Sequence, residues 1–188
     1  MTVHAFLVAT ILALVGRVDG SYIQHVSDRA GPRAWAEQLA WHIEDAATLH
    51  GVDPALLTAL YYHESRFYER ARSKSGARGI SQINPRAWPR KWRAIAVAPK
   101  AERTRLQVLH GASILRHYAM KCGASWRAVS AYRSGRCMRQ KSRNTRKVMA
   151  TYRSIAGALR SSTRPTAGGP AIGSRGGDAV PCIRGACG

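Results

Sequence analysis

Residues 56–88, LLTALYYHESRFYERARSKSGARGISQINPRAW, decide how this chain folds and where its chemistry sits. The stretch opens as a helix. Asp53-Pro54 just upstream supplies an N-cap and a first-turn proline, and apolar residues recur at Leu57, Leu60 and Tyr61. These lie seven, four and three residues before Glu64, so Glu64 continues their buried stripe. A carboxylate on such a face is partly desolvated, which disfavours its charged form and raises its pKa. An acid still protonated near neutral pH can protonate an oxygen as the bond to it breaks. The competing reading is a helix-end glutamate satisfied by Arg66 or Arg70, and Glu64 taken alone fits that reading better.

The segment after the helix shifts the balance. Gly76, Gly79 and Gln82 form a Gly-x-x-Gly-x-x-Gln turn that begins twelve residues after Glu64. The glycines allow backbone conformations closed to other residues and let a polymer approach the main chain. The Gln82 amide can both donate and accept, which suits hydroxyl and N-acetyl groups. As a bare pattern this is a surface loop. Placed after a buried Glu-Ser on a capped helix, it points to a single general acid beside a groove for a sugar polymer.

These blocks resemble the soluble lytic transglycosylase (SLT-type) family of the lysozyme superfamily. HESRF at 63–67 matches the family's Glu-Ser block, with Glu64 and Ser65 in its two key places. GARGISQ at 76–82 matches Gly-Ala-x-Gly-Leu-Met-Gln, and AYRSG at 131–135 matches Ala-Tyr-Asn-x-Gly. Between them, HGASILRHYA at 110–119 resembles the family's helix that ends in a tyrosine-leucine pair. The likeness spans roughly residues 33–159 and is strongest over 53–90. It implies an all-α, lysozyme-like fold with Glu64 as catalyst and Ser65, Gly76, Gly79, Gln82, Tyr132 and Arg133 on the substrate side. Two positions depart from the family: Ser81 stands for the usual Met, and Arg133 for a substrate-side Asn. Tyr132 is open to two roles, orienting Glu64 or a sugar, and packing a helix beside Ala128 and Val129. Ser65 has a similar alternative, tying backbone groups at the helix end.

The resemblance also implies a mechanism and a substrate. Glu64 would protonate the oxygen linking N-acetylmuramic acid to N-acetylglucosamine in peptidoglycan. It would then take a proton from the C6 hydroxyl that closes onto C1, leaving a 1,6-anhydro end. No cofactor or metal is needed. Composition supports a one-carboxylate scheme, because paired-carboxylate glycosidases need a second acid. From Arg66 to Arg153 only Glu69 and Glu102 are available. Glu69 falls near the helix end, and Glu102 falls in a first turn, where the dipole favours an acid. Two other functions stay in view. A goose-lysozyme-like muramidase would cleave the same bond with water, and a basic module binding wall polymer or nucleic acid would need no Glu64.

The 188 residues are enough for one core and not two. We expect a leader or short anchor over 1–20, a catalytic domain over 21–160 and a flexible tail over 161–188. The apolar run Ala5–Val15 has the length of a signal-peptide core and is too short for a membrane span, with cleavage expected after Gly20. The tail is rich in Gly, Pro, Ser and Arg, which cannot bury a core. Export to the periplasm or beyond suits four cysteines, Cys122, Cys137, Cys182 and Cys187. Cys122 should end one helix and Cys137 follow the next, so a bridge would staple that hairpin around Tyr132. Cys182 and Cys187 could close a loop in the tail. No Cys-x-x-Cys pair reads as a zinc site, and Phe67 occupies the place of the second histidine in a metalloprotease helix.

Helical periodicity covers the rest. One helix is expected over Pro32–His50, with Trp35, Leu39 and Ile43 inward and Gly51 ending it. Another follows Pro99 and ends near Gly123. Ser125 should cap a short one ended by Gly135, and Val148, Tyr152, Ile155 and Leu159 mark the last.

Charge is strongly segregated. Residues 1–65 carry 3 Lys/Arg and 7 Asp/Glu, whereas residues 66–153 carry 23 Lys/Arg and 2 Glu. A net charge of +20 draws the chain to polyanions such as wall polymers or an anionic membrane surface. A pI near 11.1 raises nucleic acid as well. Trp88, Trp92 and Trp126 interleave with the cations and suit stacking on bases or sugar rings, or core packing, which is the expectation for Trp126. So large a like charge favours a monomer.

Overall fold

A computed structural model describes residues 1–16 and 31–163 of the chain. The cleavage point after Gly20 and the cysteines at 182 and 187 lie outside the described residues. Within them are seven helices: α1 (Val3–Val15), α2 (Gly31–His50), α3 (Pro54–Ser65), α4 (Pro89–Val97), α5 (Lys100–Cys122), α6 (Ser125–Ser134) and α7 (Arg143–Thr163). The described residues form no strand, only isolated bridges pairing Arg78 with Arg72 and Ile83. The fold is all-α, as expected for a lysozyme-like chain.

Helix α3 is the axis of the core. Every residue from Ala55 to Tyr61 is buried, so this short helix is covered on all sides. Helix α7 lies along it, and α2 packs both on it and on α5, which also carries α4 and α6. The caps follow from sequence. Asp53 Oδ1 accepts from the Ala55 N–H at 2.8 Å, with Pro54 behind it. Its other oxygen accepts from the Tyr152 hydroxyl at 2.8 Å, tying the start of α3 to α7. Gly51, Gly123 and Gly135 end α2, α5 and α6 with positive φ, as their sequence positions imply.

Three details differ from expectation. Ser125 is the first residue of α6, whose N-cap is Ala124, and no side chain caps that helix. Helix α4 has only Trp92 and Ile95 as large inward residues among its cations, too few to show a period. Trp126 stays out of the core and lies under two cations, with Arg127 Cζ 5.3 Å and Lys141 Nζ 5.5 Å from its ring centroid.

The N-terminal apolar run forms α1 and joins the core. Phe6, Leu7, Val8, Ile11, Leu14 and Val15 are buried, mainly against α2, and His4 Nδ1 meets Glu44 Oε2 at 3.1 Å. No helix among the described residues is long and apolar enough to cross a membrane. Cys122 and Cys137 are bonded, closing the α5–α6 hairpin on itself. Such bridges persist in oxidising compartments.

Acidic and basic elements separate in the fold as in the sequence. Glu37, Glu44 and Asp45 lie on α2 and Asp53 caps α3, whereas the cations populate the turn and helices α4 to α7.

Candidate active site

Helix α3 ends one residue past Glu64. Arg66 and then Phe67 take positive φ (55° and 65°), turning the chain sharply. This is an uncommon conformation for side-chain-bearing residues, and Phe67 is held in it by complete burial against Trp35 and Tyr62. The Glu64 side chain is left 7% exposed at the floor of a cleft. Its Oε1 is buried without a hydrogen-bond partner. The nearest cation is Arg133, whose Nε is 3.5 Å away, close enough for charge contact but outside hydrogen-bonding geometry. Desolvation raises the Glu64 pKa to about 7, and Arg133 pulls in the opposite direction. Burial wins. The acid is therefore protonated in a large fraction of molecules at neutral pH.

The cleft has a volume of about 380 Å³. Gln82, Asn84 and Ala87 come from the turn and its continuation, Tyr118 from α5, and Tyr132 and Arg133 from α6. Trp88 supplies an aromatic wall, edge-on to His117 and Tyr118. A second hollow of about 470 Å³ opens on the other side of Glu64, between α3, Arg133, Asn144 and Lys147. Glu64 and Arg133 line both, so the two hollows adjoin the same carboxyl. Glu64 is the single carboxylate among the residues lining either.

The glycine turn is hung on the helices by side-chain to backbone bonds. Ser65 Oγ donates to the Ile80 carbonyl at 2.7 Å, and Ser81 Oγ donates to the Gln107 carbonyl at 2.6 Å. The Ile80 N–H donates to Gln107 Oε1 at 2.7 Å, and the Tyr132 hydroxyl donates to the Ser81 carbonyl at 2.6 Å. Burial, reinforced by Glu64, pushes the Tyr132 hydroxyl well above its ordinary pKa and keeps it a donor. Tyr132 therefore fixes the turn beside Glu64 and makes no hydrogen bond to the carboxyl. Ser81, one of the departures from the family pattern, is a buried strut. A Cβ on Gly111 would come within 2.5 Å of Ser81 Cβ, so α5 and the turn meet there with no room to spare.

The expected site residues divide accordingly. Glu64, Gln82, Tyr132 and Arg133 come together in the cleft. Ser65 lines the second hollow beside Glu64 while holding Ile80. Gln82 has its amide nitrogen engaged within the turn, donating to the Gly79 carbonyl at 2.9 Å, and adopts φ 48°. Gly76 is an exposed turn residue with φ +85°. Gly79 is buried and faces away from the cleft. Its missing Cβ makes room for Gln107, whose Oε1 would lie 2.2 Å from such an atom. Sequence reasoning misses Gln107 itself. The available signal is a polar residue between Leu106 and Val108 on the inward face of a helix.

Neither spare carboxylate reaches the site. Glu69 accepts from Thr104 Oγ1 at 2.6 Å, and Glu102 sits exposed in the first turn of α5 beside Arg105. Among the described residues no group of His, Cys, Asp and Glu could hold a metal ion.

No curated protein and no solved structure matches the chain. A family model, the transglycosylase SLT domain, matches residues 42–156. That span runs from within α2 into α7 and takes in the buried acid, the suspended turn and the tyrosine that fixes it. The chain belongs to the transglycosylase SLT domain family.

Proposed function

We propose that the protein is a peptidoglycan lytic transglycosylase in which Glu64 acts first as acid and then as base. The observation that carries this reading is one buried carboxyl, raised to about 7, alone among carboxylates in the two hollows that it lines. Protonated Glu64 gives its proton to the glycosidic oxygen between N-acetylmuramic acid and N-acetylglucosamine, and that bond breaks. The substrate's own acetamido group stabilises the cationic carbon, so no second protein carboxylate is required. Glu64, now a carboxylate, takes the proton of the C6 hydroxyl as that oxygen bonds to C1. The acid is regenerated, and the product ends in a 1,6-anhydro ring.

Trp88, half-buried in the cleft, provides apolar surface for a sugar ring, and the Gln82 amide oxygen provides an acceptor beside it. Arg133 takes the place of a neutral amide next to the acid. Its guanidinium suits the carboxylates of the muramyl lactate and peptide stem, and a substrate that draws it off Glu64 would strengthen the acid-form preference. The disulfide and the wall substrate together support action outside the cytoplasm.

The deciding experiment digests purified peptidoglycan with the full chain and with Glu64→Gln, reading fragments by mass spectrometry without reduction. Anhydro ends from the parent are expected, with a loss of roughly 10²–10⁴-fold in the variant. Reducing ends would replace this mechanism with hydrolysis, and no fragments from a folded parent would leave a wall-binding module.

A further inference from the structure

The turn has a second face. Behind it lies a cavity of about 520 Å³ that shares no lining residue with the cleft or the second hollow. Five cations line it, Arg70, Arg72, Arg78, Lys100 and Arg103, against one carboxylate, Glu69. Glu69 is already engaged, by Thr104 at 2.6 Å and by Arg70 Nε at 3.9 Å. Trp92, Ile95 and Ala96 add an apolar side.

Two of the guanidinium groups are held by uncharged partners. Arg103 donates from Nε to the Ala98 carbonyl at 3.0 Å and from Nη2 to the Ala96 carbonyl at 3.3 Å. Arg78 Cζ lies 5.4 Å from the centroid of the Trp92 ring. Contacts of this kind order the head group and leave its charge unneutralised. Lys100 and Arg103 also stand in the first turn of α5, where the one acid, Glu102, lies beside Arg105 and does not line the cavity. The result is an ordered excess of positive charge around a hollow.

We propose that this cavity binds a phosphate group, of the kind repeated along a polyol-phosphate wall polymer or free as inorganic phosphate. A carboxylate fills one guanidinium fork, whereas a tetrahedral phosphate offers further oxygens and charge to several. The site is independent of cleavage at Glu64. It does touch the catalytic scaffold, because Gly79 and Gln107 line the cavity and Gln107 holds Ile80 of the turn.

The test is isothermal titration of the intact protein at constant chloride with inorganic phosphate, a glycerol-phosphate oligomer and acetate. Saturable one-to-one binding of phosphate is expected, weakened roughly tenfold or more by Arg78→Ala/Arg103→Ala. A charge-matched pair on exposed positions, Arg139→Ala/Arg153→Ala, should leave it within about twofold, as surface cations contribute little individually. Arg78→Lys/Arg103→Lys keeps the charge and removes the forks, and should bind weakly while circular dichroism shows the helices intact. Tighter binding of the oligomer than of inorganic phosphate assigns the site to the polymer, and equal binding assigns it to the free ion. Acetate binding as tightly as phosphate, equal loss in the charge-matched pair, or no saturable binding would each overturn the proposal.

Discussion

Glu64 holds its proton at a thermodynamic cost that reaches beyond the cleft. Burial moves its pKa from 4.5 to about 7, so between those values the folded state keeps a proton that the unfolded state has released. Stability must then fall as pH rises through that window, and stay reduced above it. Glu64→Gln removes the effect. We expect the variant to match the parent near pH 4 and to exceed it by about 3 kcal/mol at pH 8, measured by urea denaturation. Equal stabilities at pH 8 would mean that the carboxyl is not desolvated. Arg133 acts on the same group with the opposite sign, lowering the Glu64 pKa. Arg133→Ala should shift the alkaline limb of the activity profile to higher pH, and an unmoved limb would place Arg133 outside the acid's field. The sequence is readable at Glu64 because three apolar residues at helical spacing aim it inward. It is less readable at Arg133, since a change from Asn to Arg states a charge and not where the charge points.

The turn over residues 71–83 shows how an element can be found for the right residues and a different reason. Gly79 suggests close approach by a polymer, yet its hydrogen faces the Gln107 side chain. Gly79→Ala forces both a crowded contact and a strained φ of +77°, and should destabilise by roughly 1–3 kcal/mol with loss of activity. Gly76→Ala meets nothing within 4 Å and bears only the strain of φ +85°, about 1 kcal/mol. Chemical denaturation of the two variants separates these terms, and equal losses would deny Gln107 its role. Elements with a regular period, α2, α3, α5 and α7, are legible from spacing and glycine stops. Helix α4 is not, because it packs through Trp92 and Ile95 alone and is otherwise cationic. The four bonds that suspend the turn are also beyond reach, since they join residues up to 51 apart and each has a backbone carbonyl or N–H, which carries no side-chain identity, at one end.

Across the whole molecule, hydrophobic pattern and charge carry separate messages. The apolar run at 5–15 reads from its pattern as a leader or short anchor, which the packing of the folded chain does not test. The structure packs it on α2, where it buries Leu7 and Ile11 completely. Charge makes a clearer statement, a net +20 concentrated after Arg66. Retention on insoluble wall should therefore weaken steeply between about 0.05 and 0.5 M salt, as the screening length shortens from above to well below 10 Å. Sedimentation assays check this, and salt-insensitive retention would point to sugar contacts as the anchor. The same segregation has a directional effect. Acidic α2 and the basic turn, α4, α5 and α6 make the protein a dipole, so a polyanionic surface exerts a torque on it before contact. The face that turns toward the surface includes the turn, α5 and α6, which line the cleft. Rotational search is shortened, and under the proposed function the cleft arrives already facing the wall polymer.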